Sequence, residues 1–257
     1  MMNQAAKTLA ATLCVAAFSL AAPLASAATV TLQFNGFENY GGGSAGKAVN
    51  VTDTTPSPDK HYSGNGGAFD ATAKAGSDAG FVASAYKVGG DIITWCVELA
   101  QGISFGNTYT YTLNGPGETS WFSNLEKLFN QFITGPITNT TSTAMQLAVW
   151  EVTHEAQGSK GGGFSLATGS FTANTSGTNT GAYTQAQTWL DNLNKMVPTV
   201  DSGYRAIKLE SKTAQDQVAF VSVSEVPLPG AALMFLSALG LGGLARRKSS
   251  VQMPAAA

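Results

Sequence analysis

The apolar pattern of this chain changes period twice, and few architectures accommodate both changes. Residues 29–37 read T-V-T-L-Q-F-N-G-F and alternate as a half-buried strand does. Strand-like runs recur at 68–73, 80–88, 91–99 and 107–113, with Gly89-Gly90 as a two-residue hairpin turn. The period then turns helical. Trp121, Phe122, Leu125, Leu128, Phe129 and Phe132 share one face, and Gly135-Pro136 ends that helix. A second helix is expected from about residue 143 to 156, capped by Thr141 or Ser142. A third follows at about 182–196, with Tyr183, Ala186, Trp189, Leu190, Leu193 and Met196 inward and Pro198 beyond its end. Strands at 204–209 and 217–224 close the domain. This order predicts an α+β fold, a strand-rich sandwich or barrel-like half with a three-helix half packed on it.

Two stretches, 39–67 and 158–181, are rich in Gly, Ser, Thr and Asn and read as long loops, the second with a short strand at 164–166. The first contains Gly41-Gly42-Gly43-Ser44-Ala45-Gly46, a formal G-x-G-x-x-G. A dinucleotide site is rejected there, because residues 47–56 do not read as a helix and the motif needs a helix N-terminus beneath the pyrophosphate.

The two ends set the compartment. Residues 1–27 carry Lys7, an apolar run and Ala25-Ser26-Ala27, which together read as a secretory signal peptide cleaved after Ala27. At the other end the stretch from Val226 to Ala245 is apolar over 20 residues, or about 30 Å as a helix, enough to span a bilayer. Arg246-Arg247-Lys248 would hold its C-terminal side in the cytoplasm. Residues 28–224 are then the exported domain and 249–257 an unstructured tail. That domain has 10 Lys and Arg against 15 Asp and Glu, a net charge of −5, which excludes the basic footprint of a nucleic-acid binder.

Removal of Cys14 with the signal peptide leaves Cys96 as the one cysteine, in an oxidising compartment and without an internal disulfide partner. Alternation puts Ile92, Thr94, Cys96 and Glu98 on one strand face and Ile93, Trp95, Val97 and Leu99 on the other. The Trp95 face reads as the main core and the mixed Cys96 face as the lining of a cleft or helix-covered pocket. On the second helix Gln146, Val149, Trp150 and Thr153 share a face. If that face packs on Cys96, a thiolate can attack the Gln146 carboxamide, releasing ammonia and leaving a thioester. The step needs a base, for which Glu98, Glu151 and His154 are the candidates, and a shield against water, for which Trp150 is placed.

Trp95-Cys96-Val97-Glu98 followed by Gln146-Leu147-Ala148-Val149-Trp150-Glu151 resembles the motifs of bacterial surface thioester domains. The resemblance implies an internal Cys96–Gln146 thioester, with Trp150 as the motif's tryptophan, used for covalent attachment to a surface amine or hydroxyl. Here Met145 stands where the family commonly has Thr or Ser. Residues 225–248 resemble the PEP-CTERM sorting signal of Gram-negative bacteria. The resemblance is carried by Val226, Pro227, Leu228 and Pro229, the apolar helix, and Arg246, Arg247 and Lys248, with Leu228 where Glu is usual. It implies recognition by an exosortase, a membrane-held precursor, delivery to the cell surface or extracellular matrix, and association with exopolysaccharide and biofilm.

The expectation is therefore an adhesion protein rather than an enzyme, with no cofactor. A cysteine hydrolase needs a positioned histidine, and neither His61 nor His154 sits in such a signature. One cysteine and two distant histidines do not make a zinc site. The competing reading is a non-covalent structural or carbohydrate-binding matrix protein, with the aromatic strand 107–113 as its binding surface and Cys96 inert.

Overall fold

The computed structural model describes residues 28–55, 58–115, 121–155, 163–195 and 201–223. The expected signal peptide, sorting motif, membrane-spanning helix and tail lie outside the described residues. Among those described, no helix is long and apolar enough to cross a membrane.

Ten strands and four helices form one mixed architecture among the described residues. In chain order they are β1 (Thr29–Phe37), β2 (Lys47–Asp53), β3 (Lys60–Gly66), β4 (Phe69–Ala73), α1 (Ala79–Ser84), β5 (Lys87–Val88), β6 (Asp91–Cys96), β7 (Thr108–Asn114), α2 (Phe122–Thr134), α3 (Asn139–Glu155), β8 (Phe171–Ala173), α4 (Thr180–Asn194), β9 (Tyr204–Glu210) and β10 (Gln217–Ser222). Six of the strands pair in the order β10-β9-β7-β1-β4-β6, and β6 pairs back to β10. Each of these pairings is antiparallel, so the sheet closes as a barrel and leaves no open edge in its wall. Short β5 extends from β6, and β3-β2-β8 form a separate three-stranded sheet.

Val30, Leu32 and Phe34 alternate into the barrel and are fully buried. Phe34 meets Phe69 and Tyr111 edge-on at 5.9 and 6.1 Å. The outer face of β6 and β10 carries a second core against the helices. There Phe220 stacks on Phe129 of α2 at 4.0 Å, and Trp95 meets Phe132 at 5.4 Å. Both faces of β6 are therefore buried. The Trp95 face looks toward the helices, and the Cys96 face toward the barrel interior. That is why residues 92–97 lack a polar side: a barrel wall covered by helices reads as a continuous apolar run.

Helix α3 is the central rod. It packs on β6, on all three strands of the small sheet, and on α2 and α4, so it is buried almost all round. It begins earlier than the sequence suggests. Thr138 accepts from the Thr141 N–H at 3.1 Å and caps the helix. The two residues expected as caps lie inside it. Ser142 instead anchors the chain before β4, its Oγ accepting from the Ala68 N–H at 2.8 Å. The neighbouring Thr143 hydroxyl donates to the Gly66 carbonyl at 2.6 Å. Between these anchors Gly67 has φ +154°, and a side chain there would press on the Gly46 backbone at 3.3 Å.

Three expectations are corrected. Of the strand expected at 80–88 only Lys87–Val88 is extended, as β5: Asp78 accepts from the Phe81 N–H at 2.7 Å and starts the short helix α1 over Ala79–Ser84, which buries only Phe81. The expected loop 39–67 contains β2 and β3. Their composition is polar because one face alone is covered, through Val49, Val51 and Asp53. The short strand expected at 164–166 occurs at Phe171–Ala173, where it pairs with β2. The glycines at 41–46 form bends before β2, with no helix behind them.

Candidate functional site

Strand β6 ends at Cys96, where the chain leaves the barrel wall, and α3 crosses behind that end. Gln146 projects from the second turn of α3 and is 1% exposed. A carboxamide so placed must find partners within the protein. It finds both in the main chain of Cys96: Oε1 accepts from the Cys96 N–H at 2.9 Å, and Nε2 donates to the Cys96 carbonyl at 2.8 Å. Thr153, two turns on, donates to the Val97 carbonyl at 3.3 Å. The helix face read from the sequence thus lies along the strand end.

The Cys96 thiol is buried. Its hydrogen points to Gln215 Oε1 at 2.8 Å, and Gln217 Nε2 donates to the sulfur at 3.6 Å. Burial pushes the thiol well above its ordinary range, against the Gln217 contact that lowers it. The resting sulfur is therefore a protonated thiol, and attack requires loss of that proton.

Cys96, Gln146, Trp150, Tyr62 and Gln215 line one cavity of about 230 Å³. Trp150 is 2% exposed and meets the Tyr62 ring edge-on at 5.9 Å. Its indole N–H is buried without an acceptor among the described residues. Tryptophan and tyrosine rings thus line the cavity beside the sulfur.

The candidate bases are dispersed. Glu98 and His154 line a neighbouring cavity of about 410 Å³, together with Asp53, Lys60, Lys208 and Asp216. His154 Nε2 donates to the Val97 carbonyl at 2.9 Å, and Nδ1 bonds Asp53. Burial works to raise the Asp53 carboxyl, but the His154 bond and the Thr55 N–H outweigh it and hold it below its ordinary value. Glu98 accepts from the Asp216 N–H at 3.0 Å, and burial raises it. Glu151 is fully buried and turns away, accepting from the Ser165 N–H at 2.7 Å. Burial raises its carboxyl to about 8. None of the three has a hydrogen bond to the thiol; the groups that do are Gln215 and Gln217.

Sequence reading overlooked these two glutamines, although a signal was present. Gln217 occupies an inward position of β10, opposite Cys96, in an otherwise apolar strand. A polar side chain in a buried alternating run needs a partner. Gln215, two residues earlier and just before β10, reaches the same sulfur.

The two bonds hold the Gln146 amide on the Cys96 main chain, and both residues line the same cavity. The Cys96 N–H already contacts the oxygen on which charge would develop. The nitrogen that would leave is held by the Cys96 carbonyl, and the thiol proton can depart with it as ammonia. On the aromatic strand β7, Tyr111 is fully buried and Tyr109 half-buried. Among the described residues no group of three His, Cys, Asp or Glu side chains is arranged to hold a metal ion. Comparison with protein-family models, curated proteins and solved structures finds no match to this chain.

Proposed function

We propose that this chain is an exported adhesion protein of the cell surface or extracellular matrix, armed with an internal Cys96–Gln146 thioester and sorted by an exosortase. The two hydrogen bonds that hold the Gln146 carboxamide on the Cys96 main chain carry the reading. They fix the electrophilic carbon beside the only cysteine of residues 28–224 before reaction, which is the condition for an intramolecular condensation to proceed without an external enzyme. Sulfur bonds to the Gln146 carbonyl carbon, the C–N bond breaks, and ammonia leaves. A later nucleophile takes the acyl group, and the thiol returns. The protein is consumed in one attachment rather than turning over.

Alkylation tests the bond. Denatured protein should resist iodoacetamide at Cys96 until methylamine opens the thioester, and then take one label. Full labelling without amine would remove the thioester. The sorting part is tested on protein released at the surface, which should lack the Leu233–Leu244 segment. Finding that segment intact in the mature protein would leave a plain membrane anchor.

A further inference from the structure

The thioester reading leaves its acceptor open, and the cavity over Cys96 narrows the choice. Apart from the Cys96 thiol and the Tyr62 phenol, no ionisable side chain lines it. Charge is gathered instead in the neighbouring cavity, around Lys60, Lys208, Glu98 and Asp216. An amine acceptor arrives as an ammonium ion at neutral pH. It would have to shed water and a proton where no carboxylate receives either. A hydroxyl arrives neutral.

The rim is aromatic. Phe105 is 48% exposed, the most exposed large apolar side chain among the described residues. It is held edge-on against Phe37 at 5.5 Å and Phe69 at 5.8 Å. An exposed ring braced by two others is a rigid apolar face, suited to the C–H face of a sugar ring. Asn65 and Gln101 also line the cavity, and both are exposed. Neutral amides offer a donor and an acceptor together, matching the hydroxyls of a sugar. At about 230 Å³ the cavity admits a single sugar ring but no folded segment.

We propose that the acceptor is a hydroxyl of a neutral saccharide, stacked on Phe105 and oriented by Asn65 and Gln101, an inference that rests on the thioester reading. The hydroxyl oxygen bonds to the Gln146 carbonyl carbon as the C–S bond breaks, and the hydroxyl proton passes to sulfur. The products are a Gln146 ester and a free Cys96 thiol, with no change of oxidation state. Burial, which raises the thiol, makes the departing sulfur basic enough to take that proton.

The test uses purified full-length protein whose intact mass has first been measured. Samples are incubated with neutral glucan, mannan and N-acetylhexosamine oligosaccharides, or with Nα-acetyl-lysine amide. The expected result is an adduct equal to the whole mass of an oligosaccharide, with Cys96 newly alkylatable and the adduct released by hydroxylamine, as an ester is. Phe105→Ala and Gln101→Ala should each lower its yield roughly ten-fold, the size one stacking or polar contact carries. A protein that begins about 17 Da light but forms only hydroxylamine-resistant lysine adducts overturns the saccharide assignment and leaves the thioester standing. So does a saccharide yield indifferent to both substitutions. A protein that is not light at the outset overturns the thioester itself, and this inference with it.

Discussion

The side chain of Gln146 and the main chain of Cys96 pair as two amides do, N–H to oxygen at 2.9 and 2.8 Å, across 50 residues of sequence. A covalent bond between these side chains would close a loop of that length. By the chain-entropy argument used for disulfides, such a cross-link stabilises the fold by about 4 kcal/mol. Opening the bond with methylamine, with no change of sequence, should therefore lower the unfolding free energy by about that amount. Denaturant titration before and after treatment measures the difference.

Gln215 bears on the speed of condensation. Its Oε1 is the acceptor of the thiol hydrogen, and its Nε2 donates to the Glu98 carbonyl at 2.6 Å. The sulfur is thereby held in one rotamer between Gln215 and Gln217. Gln215→Ala should slow growth of the condensed species on refolding by roughly 10- to 100-fold, the effect of losing orientation in an intramolecular reaction. Mass spectra collected over time follow it. An unchanged rate would restrict Gln215 to a packing role.

Much of this arrangement was legible from residue spacing. The change from strand to helix is visible because β1 and α2 each bury one face and keep a clean period, and β10 reads as a short apolar run. The Gln146–Thr153 face could be read because those residues fall at helical intervals. Strands β2 and β3 were hidden, because β3 is mostly exposed and is held by backbone pairing to β2, which leaves no apolar signature. Helix α1 was hidden because one turn cannot establish a period. The dispersal of Glu98, Glu151 and His154 away from the thiol depends on how the end of β6 meets α3 and β2, a long-range relationship that spacing along the chain does not encode.

Glu151 makes stability depend on pH in an unusual sense. Its carboxyl is raised from 4.5 to about 8, by burial first and by the nearby Glu155 as well. Between those values the unfolded chain ionises while the folded one keeps its proton, so stability falls as pH rises through that window. Glu151→Gln retains an acceptor for Ser165 and removes the titration. It should be more stable than the parent at pH 8 by on the order of 3 kcal/mol and match it near pH 4.5. Urea midpoints across the range decide it.

Asp53 acts oppositely. Its carboxyl is held below the ordinary 3.8 because the bonds from His154 and Thr55 outweigh burial. Its contribution is complete above that ordinary value and is lost as pH falls through the depressed one. His154→Ala leaves a carboxylate that is 3% exposed with the Thr55 N–H alone and removes one of two donors to the Val97 carbonyl. The expected cost at pH 7 is about 2–4 kcal/mol, read by thermal unfolding. Asp53→Asn should flatten the acid limb of the stability curve.

The thioester claim is tested most directly by the intact mass of the purified protein. Condensation of Cys96 with Gln146 releases ammonia, so the mass should fall about 17 Da below that calculated from the processed sequence. Cys96→Ala and Gln146→Ala should each show the mass calculated for the substitution alone. A parent protein at full calculated mass, with Cys96 freely alkylated before any amine is added, would contradict the account.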